Sequence, residues 1–507
     1  MKPGDHEPMR HTLRLRRLGI DTYRELVIYM RSDCQVCRSE GFEAESRVRV
    51  SLGSRAIIAT LNVVTGPCLL LPEEASLSEA AWQALGAREG AEITLAHPEP
   101  LESLGYVRAK VHGKSLDDSA MRAIIEDVVA GRYSDVHLAA FITACAGDHL
   151  GVEEMVGLTR AMIDTGERLR WDREPVLDKH SVGGLPGNRT SLIIVPIVAA
   201  YGLTMPKTSS RAITSPAGTA DAMETIAPVN LDIAAMRRVV ERESGCIVWG
   251  GAVRLSPADD VLIRVERPLD LDSEGQLVAS VLSKKIAAGS THVLIDMPVG
   301  ATAKVRGAPA AESLSRSLIA VGQALGIEVR IARTDGSQPV GRGIGPALEA
   351  RDALAVLQGS PGAPADLRER SLELAGQVLE LAPDVASGRG RELARSLLDD
   401  GRAWRKFQAI CAAQGGMREP PRAPHTHTFA ATRRGAVATI DNRRLAKIAK
   451  LAGAPSDPSA GVDLHAPLGL EVTAGDALFT IHAAAPGELA YALAYAEAHP
   501  GVIGIVP

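Results

Sequence analysis

The stretch Asp178-Lys-His-Ser-Val-Gly-Gly-Leu-Pro-Gly-Asn-Arg-Thr-Ser191 decides how the rest of the chain is read. It joins an extended run, Glu174 to Leu177, to an apolar segment from Leu192 to Leu203 that is long enough for a helix. Three glycines let the backbone close around a ligand, and Lys179 brings a fixed positive charge. Thr190 and Ser191 fall where a helix N-cap is expected, so the N–H groups of the first turn can face an anion. Strand, Gly-rich loop and helix N-terminus together make a phosphate cradle. A second follows at once. Ser209-Ser-Arg-Ala-Ile-Thr-Ser-Pro-Ala-Gly-Thr219 offers five hydroxyls and a guanidinium, and Pro216 suits the first position of a helix through Met223 and Glu224. Ordinary βα turns also favour Gly, Ser and Pro, for backbone reasons alone. The pair, with Lys179 and Arg211 able to face one another across a ligand, predicts two anions or one gripped from both sides.

These residues also carry a family resemblance. Lys179-His-Ser-Val-Gly-Gly184 resembles the first signature of the thymidine and pyrimidine-nucleoside phosphorylases, and Ser209-x-Arg-x5-Ala-Gly-Thr-x-Asp221-x-x-Glu224 resembles the second. Ala279-Ser-Val-Leu-Ser-Lys-Lys285 is similar to the family's base-contacting helix, and Thr334-Asp-Gly-Ser-Gln-Pro-Val-Gly341 to a further segment. The wording Lys207-Thr-Ser-Ser-Arg-Ala-Ile-Thr-Ser215, with a long extension before residue 100, most resembles AMP phosphorylase and its bacterial type 2 relatives.

The resemblance implies a reaction and roles. Phosphorolysis of an N-glycosidic bond needs phosphate held beneath C1′, a tolerated cationic sugar and a stabilised leaving base. Lys179, Ser181, Ser191, Ser209 and Thr219 match positions that grip phosphate, and holding it in attack geometry removes up to roughly 7 to 11 kcal/mol of entropic barrier. Arg264 and Lys284 match positions that hold the base carbonyls, and Ser280 one that touches its edge. The spacing from Arg264 to Ser280 is one residue longer than in the pyrimidine enzymes, and Arg267 is nearby. His180 could protonate a departing pyrimidine; in AMP phosphorylase an aspartate does so, and its match here is Asp272. Asp272, His180 and Lys179 are therefore the catalytic candidates. Gly184, Ser210, Arg211, Ala212, Ile213, Thr214, Ser215, Thr219 and Lys304 match nucleotide-contacting positions.

Thymidine phosphorylases have a glycine-rich run where this chain has Ser210 to Ser215. The added donors exceed what one phosphate can use, and a buried donor left unpaired costs about 1 to 3 kcal/mol. A 5′-phosphate would satisfy them, so the expected reaction cleaves a nucleoside monophosphate (AMP, CMP or UMP) to base and ribose 1,5-bisphosphate. Thymidine phosphorylase, giving thymine and 2-deoxyribose 1-phosphate, is the alternative. Inorganic phosphate is a co-substrate, and neither cofactor nor metal is expected. A phosphoribosyltransferase would need magnesium, and Asp221, Glu224, Asp259 and Asp260 form no clear cluster. A nucleotide sensor could use the same cradles without turnover.

Composition bounds the rest. At 507 residues the chain should hold about three domains. A formal charge of −5 with dispersed basic residues leaves no nucleic-acid footprint. The charged first twenty residues do not read as a signal peptide, and no apolar run approaches the roughly twenty residues that span a bilayer. Six cysteines in so long a chain are no disulfide framework, and Cys34-x-x-Cys37 reads as two reduced thiols at a turn. A cytoplasmic protein without a membrane partner is expected. The family dimerises through its helical domain, which implies a homodimer or larger homo-oligomer.

The expected fold class is α/β in four parts. Alternating short runs before residue 100 predict a β-rich N-terminal domain, 1–100, with a role in assembly. Helical patterns cover 101–168 and 257–289, and the resemblance implies that they join as one split α domain. The α/β phosphate-binding domain covers 169–256 and 290–414, with a mixed sheet. After a Gly- and Pro-rich linker, 425–507 resembles the barrel-sandwich α+β end domain of pyrimidine phosphorylases. That domain is similar to biotin and lipoyl carriers, but no lysine follows Lys450, so it lacks an attachment point. Gly113-Lys114-Ser115 lacks the earlier glycine of a P-loop, and Gly341 to Gly345 has the wrong spacing for a dinucleotide fingerprint; a helix from Pro346 to Leu357 is the better reading.

Overall fold

A computed structural model describes residues 12–507 except Pro67, Ile213, Thr214, Asp270 and Asp272, and of Arg267 only the backbone. The candidates Ile213, Thr214 and Asp272 therefore lie outside the described residues. Two compact units are present, one running to Arg108 and including Asp127–His137, the other comprising Ala109–Glu126 and Leu138–Pro507.

In the first unit six strands close into a barrel. Around it stand Thr12–Leu15, Glu74–Leu77, Val27–Arg31, Arg55–Val64, Arg47–Leu52 and Glu92–Ala96, the last pairing back to the first. Residues two apart point to one face of a strand. Leu13 and Leu15, Val48 and Val50, and Ile93 and Leu95 accordingly fill the interior. Closure leaves no open edge. Cys34 caps the short helix Gln35–Glu40, its sulfur accepting the Cys37 N–H at 3.2 Å. Both thiols are buried and unbridged.

The second unit is organised by parallel strands. Glu328–Asp335, His292–Val299 and Leu177–Ser181 pair in that order, as do Met205–Ser209 and Gly245–Trp249. A parallel bridge, Val176 to Thr204, joins the two sets. The expected mixed sheet is thus corrected: among the described strands of this core every pairing is parallel. Helices occupy each crossover and cover the faces, which is the setting that parallel sheets require. Ser191–Tyr201 is the central helix, apolar all round because the helices Ala365–Leu379 and Arg402–Ala413 pack on it as well as the strands Met205–Ser209 and Gly245–Trp249. Each of its fully buried Leu, Ile and Val side chains contributes about 1.5 to 3 kcal/mol. Val152–Asp164, Pro257–Leu269 and Glu274–Ala287 pack together as a helical group.

Beyond the linker, an antiparallel sheet of His425–Ala430, Ala477–Ala483, Gly461–Leu464 and Gly343–Ile344 faces its own core with Gly435–Ile440, Glu471–Val472 and Ile503–Val506. The helix expected after Gly345 runs Pro346–Leu357. Among the described residues no helix is long and apolar enough to cross a membrane.

Candidate active site

In parallel α/β sheets, ligands sit beyond the carboxyl ends of the strands. Ser181, Ser209, Trp249, Val299 and Asp335 are the last residues of the five core strands, and the candidate residues gather at that edge.

Lys179 is enclosed, 1% exposed, with its ammonium 3.0 Å from Asp296 Oδ2 and donating to Thr190 Oγ1 at 2.8 Å. Sheet register produces the ion pair: Asp296 lies opposite Ser181, and Lys179, two residues earlier, shares that face. Burial pushes the Lys179 ammonium down from its ordinary value and Asp296 pulls it back. Burial also works against the Asp296 carboxylate, but Lys179, Asn188 and Thr334 outweigh it and hold it low. One strand residue before Lys179, Asp178 binds Lys207 at 3.1 Å and Lys285 at 2.7 Å. Burial lowers Lys285, with Asp178 opposing and Lys207 reinforcing.

His180 is partly exposed, and the protein packed around it, followed by Lys285, Lys207, Lys284 and Lys179, holds its imidazole well below the ordinary range. The ring is neutral near pH 7, a hydrogen-bond donor rather than an imidazolium acid. Lys284 donates to Asp259 Oδ2 at 2.7 Å and to Ser280 Oγ at 3.0 Å. Four lysines thus face three carboxylates, and burial works against the charge on two of the lysines, Lys179 and Lys285.

The Gly-rich loop is shaped by close approach. Gly183 and Gly184 are left-handed (φ +88° and +79°), and a Cβ on Gly184 would stand 2.6 Å from the Lys304 backbone nitrogen. The structure therefore brings Gly184 and Lys304 together. Ser181 Oγ accepts from Asn188 Nδ2 at 3.2 Å. The helix N-terminus needs correction. Thr190 does hold the N-cap position, but its hydroxyl makes no cap bond and turns to Lys179. The Leu192 and Ile193 amides close on the Arg189 and Thr190 carbonyls, so they are not offered to an anion.

The second loop differs more. The helix after it is Thr219–Glu224 rather than one begun by Pro216, because the Asp221 carboxylate accepts the Gly218 N–H at 2.8 Å and fixes the start there. Arg211 is already engaged by carboxylates. Its guanidinium is spent on Glu224 (2.5 and 2.9 Å) and Asp221 (3.2 Å), and it stacks on the Trp249 ring at 4.9 Å. Ala212 N–H donates to Asp221 Oδ2 at 2.6 Å and Ser215 Oγ to the Ala217 carbonyl at 2.8 Å. Ser209 Oγ is buried and meets no hydrogen-bond partner among the described residues. Ser210 is exposed, and Thr219 opens the helix beside it.

Arg264 lies partly buried on Pro257–Leu269. Beside the acid candidate, Ser273 Oγ donates to the Cys145 carbonyl at 3.1 Å. Three of the four carboxylates weighed for a divalent ion carry cations: Asp221 and Glu224 hold Arg211, and Asp259 holds Lys284. Sequence reading missed Asp296, Asn188, Lys207 and the pairing role of Asp178; the one available signal was acids and lysines inside otherwise apolar strands.

Comparison with known proteins adds three domain matches. Residues 173–404 match the α/β domain of a glycosyl transferase family, 105–166 that family's helical bundle domain, and 436–499 the pyrimidine nucleoside phosphorylase C-terminal domain. A protein of Polaromonas sp. (strain JS666) named "Putative thymidine phosphorylase" is 67% identical over 98% of this chain and 97% of its own length. Under the same name, a Legionella pneumophila protein (strain Philadelphia 1) is 63% identical over 95% and 93%. An Acidovorax sp. (strain JS42) protein, numbered 2 under that name, is 65% identical over 96% and 95%. A solved anthranilate phosphoribosyltransferase from Thermus thermophilus is similar over 61% of this chain and 98% of its own, at 20% identity and a TM-score of 0.48.

Proposed function

The chain belongs to the thymidine and pyrimidine-nucleoside phosphorylase family of glycosyltransferases, and from that premise we propose that its substrate is a nucleoside 5′-monophosphate, cleaved by phosphate to free base and ribose 1,5-bisphosphate. In this reading inorganic phosphate sits among Lys179, Ser181, Ser191, Ser209 and Thr219. The buried lysine group, and the Ser209 hydroxyl that meets no partner among the described residues, support an anion there. A phosphate oxygen attacks C1′ as the C1′–N bond breaks, and the bond's electron pair passes to the base. Phosphate beneath the ring also stabilises the cationic sugar in a dry site, where such interactions are strong. Lys284, Ser280 and Arg264 hold the base, neutral His180 donates a hydrogen bond, and Asp272 delivers the proton. A carboxyl doing so near neutral pH needs a raised pKa.

The observation that carries the 5′-phosphate is the close approach of the Lys304 backbone to Gly184, which places a further, partly exposed lysine at the Gly-rich loop. The nucleoside reading has its own support: Arg211 is neutralised by two carboxylates, and the relatives are named for thymidine. Base release from AMP, CMP, UMP, uridine and thymidine, with and without inorganic phosphate, separates the two. Phosphate-dependent cleavage of the monophosphates supports the proposal; a hundredfold preference in kcat/KM for thymidine or uridine overturns it.

A further inference from the structure

We propose that Glu349 is a positioning residue for phosphate: a carboxylate remote from the reacting atoms that, through Arg189, ties the Gly-rich loop to the second loop and sets the gap between them. It rests on the reading that phosphate is held between those loops.

Glu349 lies in the first turn of Pro346–Leu357 and is 1% exposed. Its carboxylate takes the Gly345 N–H at 3.1 Å and forms an ion pair with Arg189. Gly187 cannot carry a side chain here: φ is +74°, and a Cβ would stand 2.1 Å from the Val340 carbonyl oxygen. The loop tip is further pinned where Val340 N–H donates to the Pro186 carbonyl at 3.1 Å. Arg189 reaches the other way too, donating through Nη2 to the carbonyl of Ala217, two residues before Thr219. One buried acid thus grips the loop carrying Ser181 and Ser191, and its arginine holds the loop carrying Ser209 and Thr219.

The fork of the guanidinium is what makes this possible. One arm meets Glu349 and another meets Ala217, a geometry that a lysine ammonium cannot span. Loss of one arm lets the loops drift, and a displacement of about 1 Å at an attack site can cost a hundredfold in rate. None of these groups needs to touch substrate.

The decisive variant is Arg189→Lys, which keeps a cation opposite Glu349 but gives up Ala217. Steady-state kinetics of the full chain should show the KM for inorganic phosphate raised about tenfold, with the KM for the nucleotide or nucleoside within twofold and the melting temperature close to wild type. Glu349→Gln should raise the same KM, Glu349→Asp should restore part of it, and the double variant Arg189→Lys/Glu349→Gln should be no worse than the poorer single variant. A phosphate KM within twofold of wild type in Arg189→Lys overturns the inference. If wild type itself shows no saturable phosphate dependence, the reading of phosphate between the loops falls, and this inference with it.

Discussion

The two polar loops look alike in sequence and are unlike in charge. The strands that lead into the two loops share a group of four lysines and three carboxylates, Lys179 on Leu177–Ser181 and Lys207 on Met205–Ser209. Within the loops themselves, Arg189 of the first pairs with one carboxylate, whereas Arg211 of the second is held by two. An anion between the loops meets the lysine group; one farther along the second loop must use hydroxyls or draw Arg211 away from Glu224. Donor-rich loops are therefore not equivalent anion sites, and the acids that pack against them decide. This difference bears directly on the choice between nucleoside and nucleotide.

The largest expected effect breaks the first loop. Lys179→Met should lower kcat/KM about a thousandfold for every substrate, since losing one preorganised charged donor costs roughly a hundred- to a thousandfold. Asp296→Asn should do similar damage and also destabilise the fold, because breaking a buried ion pair costs about 3 to 5 kcal/mol. Activity within tenfold of wild type in Lys179→Met would mean the phosphate sits elsewhere.

Arg211→Met tests the second loop, and its effect should be selective. If a 5′-phosphate recruits Arg211, the kcat/KM for AMP should fall about a hundredfold while that for uridine stays within threefold. Equal losses for both substrates would mark Arg211 as a scaffold for Glu224, Asp221 and Trp249, and would favour the nucleoside reading.

Part of this contrast was legible in the sequence. The cradle, Lys179, and the helices around 192–201, 257–269 and 274–287 follow from glycine spacing, charge and apolar runs. What failed was counting donors without acceptors: Asp221 and Glu224 lie in the same motif as Arg211, ten and thirteen residues on. Asp296 was harder, more than a hundred residues from Lys179, and only sheet register brings them together. Its one local trace is an acid inside the apolar run His292-Val-Leu-Ile-Asp-Met, where an unpaired charge is rarely tolerated.

A smaller effect concerns pH. His180 is held below the ordinary imidazole range by burial and its lysine neighbours. Between about 6.5 and that lower value the unfolded chain binds more protons than the folded one, so stability falls as pH drops through this window. Carbon-13 labelled histidine, with His180→Gln for assignment, should show this ring still neutral at pH 6. A direct titration is needed because inorganic phosphate ionises in the same range and would mask the residue in a rate profile. A midpoint near 6.5 or above would restore His180 as a charged acid.

The smallest expected effect has opposite signs on stability and on function. Ser209 Oγ is buried at the strand end with no partner among the described residues, a condition that costs about 1 to 3 kcal/mol when unrelieved. Ser209→Ala removes that cost and some packing, so its melting temperature should be unchanged or raised by a few degrees. If the hydroxyl is kept for phosphate, the same change should raise the phosphate KM about threefold to tenfold. A structural hydroxyl would do the reverse, losing stability and leaving the KM alone. Strain of this kind persists where a ligand relieves it, so the two signs together distinguish a phosphate ligand from a packing residue.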